Sequence, residues 1–430
     1  MNLEHLLKKA MSKQKAGKFV EARNYYLKIL KQKKDHLDAL YLLGTLYGEH
    51  KKMSEAIRYL EKASQLKPDS PMIQNNLGNI YRMKGDFPRA KEYYMRALAL
   101  NPDLPQANYN LGLILDERFG ETNEALKYYH KAFSVDPTNA GAYQGYGNLL
   151  VNRRNPEGLK YLERAGQLKP DRENLQSQIG RAYLVFGKKS EAIASLRIAL
   201  KQDPENMEAK YYLSIAEGRL PDKKSRTEYV KEVFDGYAPR FEDHLVKALE
   251  YKIPMVAREI IERIYGNDIS FENMADLGCG TGLSGIAFRG CAKNIVGIDL
   301  SREMLDIASD KGVYDILLQG DIIEVLDGLD KEFDFFLAAD VIIYFQELDD
   351  LFAAIRKKAA PGALFVFSTE RHEGNSFAVS DKTGRTAHSV NYIHSLTENF
   401  NFRIVEETRL PIRKENDIWI EGELYILKST

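Results

Sequence analysis

Residues Leu43–Asp69 read LGTLYGEHKKMSEAIRYLEKASQLKPD, and 34 residues later Leu77–Asp103 read LGNIYRMKGDFPRAKEYYMRALALNPD. A third copy, LGLILDERFGETNEALKYYHKAFSVDP, begins at Leu111 with one extra residue before its second half. YGNLL from Tyr146 and IGRAYLVFGKKSEAIASLRIALKQDP from Ile179 continue the series. A fixed period of this length marks one helical unit that buries its apolar face against its neighbours. Within each copy, Gly44, Gly78, Gly112, Gly147 and Gly180 fall midway along the first helix, where a second helix must come close. Ala56, Ala90, Ala125 and Ala192, then Ala63, Ala97, Ala132, Ala165 and Ala199, do the same on the second. Pro68, Pro102, Pro137, Pro170 and Pro204 follow the second helix and stop it.

This pattern resembles the tetratricopeptide repeat (TPR) family over residues 1–220, with about six repeats and a capping helix from Met207. The first repeat lacks its closing proline and the fifth is short. The resemblance implies an all-α superhelix whose concave groove takes a protein or peptide. Asn75, Asn79, Asn108, Asn110 and Tyr143 are candidates for that face, or else solvated positions or hydrogen bonds between helices.

Composition sets the outer bounds. The chain has 430 residues, 44% hydrophobic and 29% charged, which excludes disorder and allows two or three domains. A net charge of -1 gives no overall attraction to nucleic acid or to anionic lipid, so neither is expected as a partner. Two cysteines, Cys279 and Cys291, are too few for a disulfide framework and suit a reducing cytoplasm. No apolar run is long enough to span a membrane. The first residues, MNLEHLLKKAMSKQKAGK, have the spacing of an amphipathic helix and no apolar core of signal-peptide type.

The 34-residue texture breaks at GRLPDKKSRTEY from Gly218, where Gly, Pro and charge mark a boundary near residue 220. Lys223, Lys224 and Arg226 read there as a solvated linker. From Phe271 onward, MADLG, NIVGIDL, DILLQGD, FDFFLAAD and ALFVFSTE read as strands separated by crossover helices. This alternation predicts an α/β, Rossmann-like doubly wound sheet over 221–430. FRIVEETRL and WIEGELYILK, joined by a charged, proline-containing connection, read as a closing antiparallel hairpin.

The first strand runs into Asp276-Leu-Gly278-Cys-Gly280-Thr-Gly282, a loop whose glycines permit positive φ and close approach of a nucleoside ligand. Gly280, Gly282 and Gly285 also satisfy GxGxxG, with Asp299 at 19 residues beyond Gly280, so a nicotinamide-dependent oxidoreductase competes. Three features weigh against it. Asp276 sets a carboxylate where a pyrophosphate would come, which suits an ammonium group. Gln319-Gly320-Asp321-Ile322 offers a carboxylate and an apolar neighbour to an adenine edge. The terminal hairpin is foreign to dinucleotide-binding topology.

In order and spacing, DLGCGTG, VGIDLS, LLQGDI, FDFFLAADVIIYF and APGALFVFSTE resemble the class I S-adenosylmethionine (SAM) methyltransferases, over residues 228–430. The resemblance implies SAM as cofactor, with Asp276, Gly278, Gly280 and Gly282 around its methionine end. Asp299, beside Leu300, would take the ribose hydroxyls, Asp321 the adenine amino group, and Ile322 the ring face. Asp299 and Asp321 also fit as helix caps, and Asp276 as a purely structural carboxylate. No histidine or cysteine spacing suggests a metal.

Methyl transfer is an in-line displacement needing alignment, dryness and, for a protonated acceptor, a base. The fourth strand ends Ala339-Asp340-Val341-Ile342-Ile343-Tyr344, without the Asn/Asp-Pro-Pro-aromatic sequence typical of methylation at nucleic-acid amines. FDGYAPRFEDHLVKALEYKIP and TGRTAHSVNYI resemble a subgroup of methyltransferases fused to TPR repeats. By that resemblance Tyr237 and Phe241 would cover the cofactor. Arg385 would face an anionic acceptor and His388 would take its proton, with Asp340 and Tyr344 as further catalytic candidates. Each also reads as an ordinary core or loop residue. The expected function is a SAM-dependent methyltransferase whose repeats recruit a protein, peptide or carrier-bound substrate or partner. The alternatives are a non-catalytic TPR scaffold with a nucleoside-sensing methyltransferase-like domain, and the oxidoreductase.

Overall fold

The computed structural model describes residues 2–242, 245–246, 249–415 and 418–430. The chain packs as two units, Met1–Asn152 with Lys160–Pro170, and Arg153–Leu159 with Asp171–Thr430.

The first unit is all helical. Its helices come in pairs: Leu3–Lys15 with Phe19–Gln32, Leu37–Glu49 with Met53–Leu66, Pro71–Met83 with Phe87–Leu100, and Pro105–Glu117 with Thr122–Val135. Three of these second helices, ending at Leu66, Leu100 and Val135, stop two residues before Pro68, Pro102 and Pro137. A proline there cannot donate to the preceding turn and bars its neighbour from the helical region. Glycine at the first helix's midpoint is required by contact. A Cβ on Gly44 would lie 2.6 Å from Leu60 Cγ, and one on Gly78 2.6 Å from the Tyr94 ring.

The second unit begins with one more pair, Leu175–Val185 and Lys189–Gln202, followed by Met207–Ala216. The segment taken as a solvated linker is instead the start of a helix, Lys223–Tyr237. Asp222 caps it, its side chain accepting from Ser225 N at 3.0 Å. Lys223 then pairs with Glu324 at 3.0 Å.

Among the described residues nine strands form one sheet: β1 (Phe271–Leu277), β2 (Ala292–Asp299), β3 (Ile316–Gln319), β4 (Phe333–Ala338), β5 (Ala359–Arg371), β6 (Phe377–Val379), β7 (Thr386–His388), β8 (Phe402–Glu415) and β9 (Ile418–Ser429). The strands β3, β2, β1, β4 and β5 are parallel neighbours in that order. β9 pairs antiparallel with β5, and β8 antiparallel with β9. The late hairpin is therefore present, with β9 inserted between β5 and β8. Its charged, proline-containing segment is not a connection: β8 runs through Pro411 to Glu415, with a register shift between Pro411 and Arg413.

The parallel strands are apolar on both faces because both are covered. Ala275, Leu277, Val296, Ile298, Phe336 and Ala338 pack under Ile322–Gly328, Asp349–Lys358 and Val390–Asn399. Met274, Ile295, Phe335 and Leu337 pack under Ile253–Tyr265 and Leu283–Phe288. The hairpin β6–β7 was not anticipated. Since β9 occupies one edge of β5, β7 takes the other edge at Glu370 and Arg371, beyond the point where β4 stops. It thus caps the carboxyl end of β4. No helix among the described residues is long and apolar enough to cross a membrane.

Candidate functional site

The site lies at the carboxyl ends of the parallel strands, as topology requires. Asp276, the next-to-last residue of β1, is 1% exposed. Its Oδ2 accepts from the Tyr314 hydroxyl at 2.6 Å, whereas Oδ1 is buried with no hydrogen-bond partner among the described residues. Burial pushes this carboxyl up to about 7; the hydrogen bond from Tyr314 opposes the rise, the negative charge of Asp299 adds to it, and the nearby Ser284 hydroxyl opposes it.

The glycine loop turns back onto β2, Gly278 N and Cys279 N both donating to Ile298 O. Gly278, Gly280 and Gly282 all have positive φ, but they face different neighbours. A Cβ on Gly278 would strike Val341 at 2.2 Å, and one on Gly282 would meet Tyr314 at 3.0 Å. A Cβ on Gly280 would find only the Phe241 ring, at 3.6 Å. Gly280 is thus the loop position with room beside it. Tyr314 was missed by sequence reasoning. It also accepts from Gly285 N at 3.1 Å and needs the missing side chain of Gly285, whose Cβ would lie 2.6 Å from its ring.

Asp299 ends β2 and ties the loop to the next helix, Oδ2 accepting from Gly280 N at 2.8 Å and Oδ1 from Ser301 N at 2.9 Å. The helix cap itself is Ser301, whose hydroxyl accepts from Met304 N. Each Asp299 oxygen retains a second lone pair for an incoming hydroxyl. Burial raises this carboxyl to about 6, against the pull of the backbone donors. Asp321 does cap a helix: its Oδ1 accepts from Ile323 N and Glu324 N, and Lys223 Nζ stands 3.6 Å away. Ile322 is buried within the sheet's core. Leu300, Gln319, Gly320 and Asp321 form one side of a cleft of about 540 Å³ whose other side includes Lys223, Thr227 and Lys231.

Aromatic rings bridge the glycine loop and the end of β4. Tyr237 and Phe241 meet edge to face at 5.4 Å, Phe234 meets Phe241 at 6.0 Å, and Phe234 meets Tyr344 at 5.4 Å. Beyond β4, Asp340 adopts φ +58°, a conformation that costs a non-glycine residue energy, with its N–H donating to Ser368 Oγ. Its carboxylate is gripped by Arg413, which is 2% exposed and also holds Glu370. Arg385 lies 3.5 Å from Glu415 and 3.9 Å from Glu370, with its charge acting on the Tyr344 hydroxyl. Asp340, Tyr344 and Arg385 are therefore one cluster, to which the structure adds Arg413, Glu370 and Glu415. Arg413 follows Pro411 and Ile412 and precedes Lys414, a stretch whose proline and charges give no sign of a buried arginine.

His388 sits apart in β7. Its Nε2 lies 3.0 Å from Gln346 O, and burial lowers it to about 4, so the ring is neutral and Nε2 carries the proton given to that carbonyl. Nδ1 is buried with no hydrogen-bond partner among the described residues. The lead-in segment of Tyr237 and Phe241 includes residues 243–244 and 247–248, outside the described residues.

Three of the candidate groove residues, Asn75, Asn79 and Asn110, are bonded to one another. Asn110 Nδ2 donates to Asn79 at 2.9 Å and reaches Asn75 at 3.4 Å. Asn108 is buried and donates to Pro102 O, which makes it a local brace, and Tyr143 stacks on Phe133 at 4.5 Å.

With this geometry in place, likeness to known proteins separates the two halves. Residues 275–367 match the family described as Methyltransferase domain. Residues 14–80, 71–104, 105–139 and 178–223 match families described as Tetratricopeptide repeat. Malonyl-[acyl-carrier protein] O-methyltransferase of Serratia marcescens is 31% identical over 114 residues, 26% of this chain and 44% of that protein. Anaphase-promoting complex subunit 7 of Arabidopsis thaliana is 33% identical over 90 residues, 21% of this chain and 16% of that protein. The chain thus spans less than half the length of either relative. The N-methyltransferase NodS of Bradyrhizobium japonicum, solved with S-adenosyl-L-homocysteine, is 17% identical with a TM-score of 0.37, covering 47% of this chain and 98% of that one. The chain is a fusion of tetratricopeptide repeats with a methyltransferase domain of the SAM-dependent class. SAM is the cofactor of that class, and the oxidoreductase alternative falls away.

Proposed function

We propose that the protein transfers a methyl group from SAM, with repeats over 1–220 docking a protein or carrier-bound acceptor and residues 221–430 doing the chemistry. The observation that carries this reading is Asp276, a buried carboxylate with one oxygen left unpartnered among the described residues, beside the loop position that has room, Gly280. An orphaned carboxylate oxygen is a seat for a cation, and the methionine end of SAM carries an ammonium. Asp299 would hold the ribose, and the cleft bordered by Leu300, Gln319 and Asp321 the adenine. SAM supplies the activated methyl. Tyr237 and Phe241 exclude water over Gly280, and the cluster of Arg385, Tyr344 and Asp340 fixes the acceptor. Neutral His388, with Nδ1 basic, is proposed as the base only for an acceptor that arrives protonated; an ionised carboxylate needs none.

The Serratia relative is named for action on a malonyl group carried by a protein, and Arg385 offers a cation to such an acid. A carrier-bound carboxylate is therefore our first choice of acceptor. Incubation with methyl-labelled SAM and a cell extract, followed by separation by size, tests this. Label on a macromolecule, lost under mild base as an ester would be, supports it. Label only on dialysable compounds contradicts it.

A further inference from the structure

The hairpin that carries Arg385 is held by the last helical repeat. Val379, in β6, packs into a cluster formed by Leu184, Leu196, Tyr211, Tyr212 and Tyr229. At the turn, Lys189 Nζ pairs with Asp381 at 2.7 Å. Tyr211 is buried and its hydroxyl donates to Gly384 O at 2.5 Å, one residue before Arg385. The approach is close enough that a Cβ on Gly384 would lie 2.7 Å from the Tyr211 ring, and Gly384 has φ +72°. Behind it, Tyr211 stacks on Tyr229 at 4.6 Å, and the hydroxyls of Tyr212 and Tyr229 lie 2.7 Å apart. Tyr229 belongs to Lys223–Tyr237, the helix that walls the cleft and leads to the aromatic cover.

A turn bounded by three-residue strands has little stability of its own. Here its position comes from three contacts with helices of the repeat. We propose that Tyr211 is a positioning residue for the acceptor site: the final repeat is a fixed wall of the transferase that aims Arg385 toward Tyr344. The proposal rests on Arg385 contacting the acceptor. It makes the last repeat part of the catalytic unit, whereas the earlier repeats form a unit of their own.

The test uses the full chain carrying Tyr211→Phe, which keeps the ring and deletes the donor, leaving a buried carbonyl unpaired. Amide hydrogen exchange over 377–388 should quicken about tenfold, while affinity for S-adenosylhomocysteine, measured by calorimetry, stays within about twofold. In transfer from labelled SAM to the extract fraction that the unmodified protein labels, half-saturation by that fraction should rise about fivefold and half-saturation by SAM should not move. Unchanged exchange in the hairpin overturns the proposal. So does an equal rise in both half-saturation values, which marks general destabilisation. Failure of the unmodified protein to bind S-adenosylhomocysteine would instead remove the methyltransferase reading, and the exchange result would still decide what Tyr211 holds.

Discussion

The Tyr314 hydroxyl donates to Oδ2 of Asp276 across 38 residues of sequence, at 2.6 Å, and leaves Oδ1 of the same buried carboxylate without a partner among the described residues. One oxygen is fixed and the other waits for a donor. That asymmetry gives the site a signature in pH.

Without ligand, burial holds Asp276 protonated up to about 7. A bound ammonium would favour the ionised form and lower that value. Affinity for S-adenosylhomocysteine should therefore rise from pH 5.5 to 7.5, with proton release on binding near pH 6. Calorimetry in buffers of different ionisation enthalpy measures the release, and Asp276→Asn should abolish it. Because the folded state holds this proton more tightly than the unfolded chain, Asp276 lowers ligand-free stability as pH climbs from about 4 to 7.

The loop glycines should differ in tolerance. Gly278→Ala meets Val341 at 2.2 Å in a left-handed conformation and should cost roughly 2–3 kcal/mol by denaturant unfolding. Gly280→Ala suffers only the conformational penalty, about 1 kcal/mol. Its added methyl enters the space under Phe241 and should weaken cofactor binding more than Gly278→Ala does at matched stability. Equal unfolding costs would refute the distinction.

Arg413 is the cation that makes Asp340 and Glu370 compatible. Arg413→Ala leaves two carboxylates in a buried site and should cost about 3–5 kcal/mol. Glu370 is already held above the usual carboxylate range by burial, with Arg413 opposing. Removing the arginine lets protonation relieve the repulsion, so the loss should be larger at pH 8 than at pH 5.5. Urea unfolding at the two pH values checks the sign.

The repeats were legible because the same glycine, alanine and proline positions recur at a fixed spacing, and Gly44, Gly78, Gly112 and Gly180 each answer to a local contact, as Gly78 does to Tyr94. The parallel sheet was legible because strands buried on both faces have little room for polar residues. The hairpin β6–β7 was not, since strands of three residues, FAV and TAH, are too short to show a period, and their position is set by Tyr211 and Lys189. Arg413 was hidden in a stretch that its proline and charges made look like a loop. Tyr314 was hidden because the reason for Gly282 and Gly285 lies in a side chain about thirty residues away, on the approach to β3. Asp299 and Asp321 lie at the carboxyl ends of β2 and β3, where the glycine-loop motif leads one to look, but coordinates are needed to tell which of their atoms already have partners.

Titration of the full chain with S-adenosylhomocysteine, beside Asp299→Ala, addresses the central claim most directly. The account predicts one site per chain and affinity weakened at least about tenfold in the variant, with the fold retained. No binding by the unmodified protein, or the same affinity in Asp299→Ala, would contradict a SAM site at the carboxyl ends of β1 and β2.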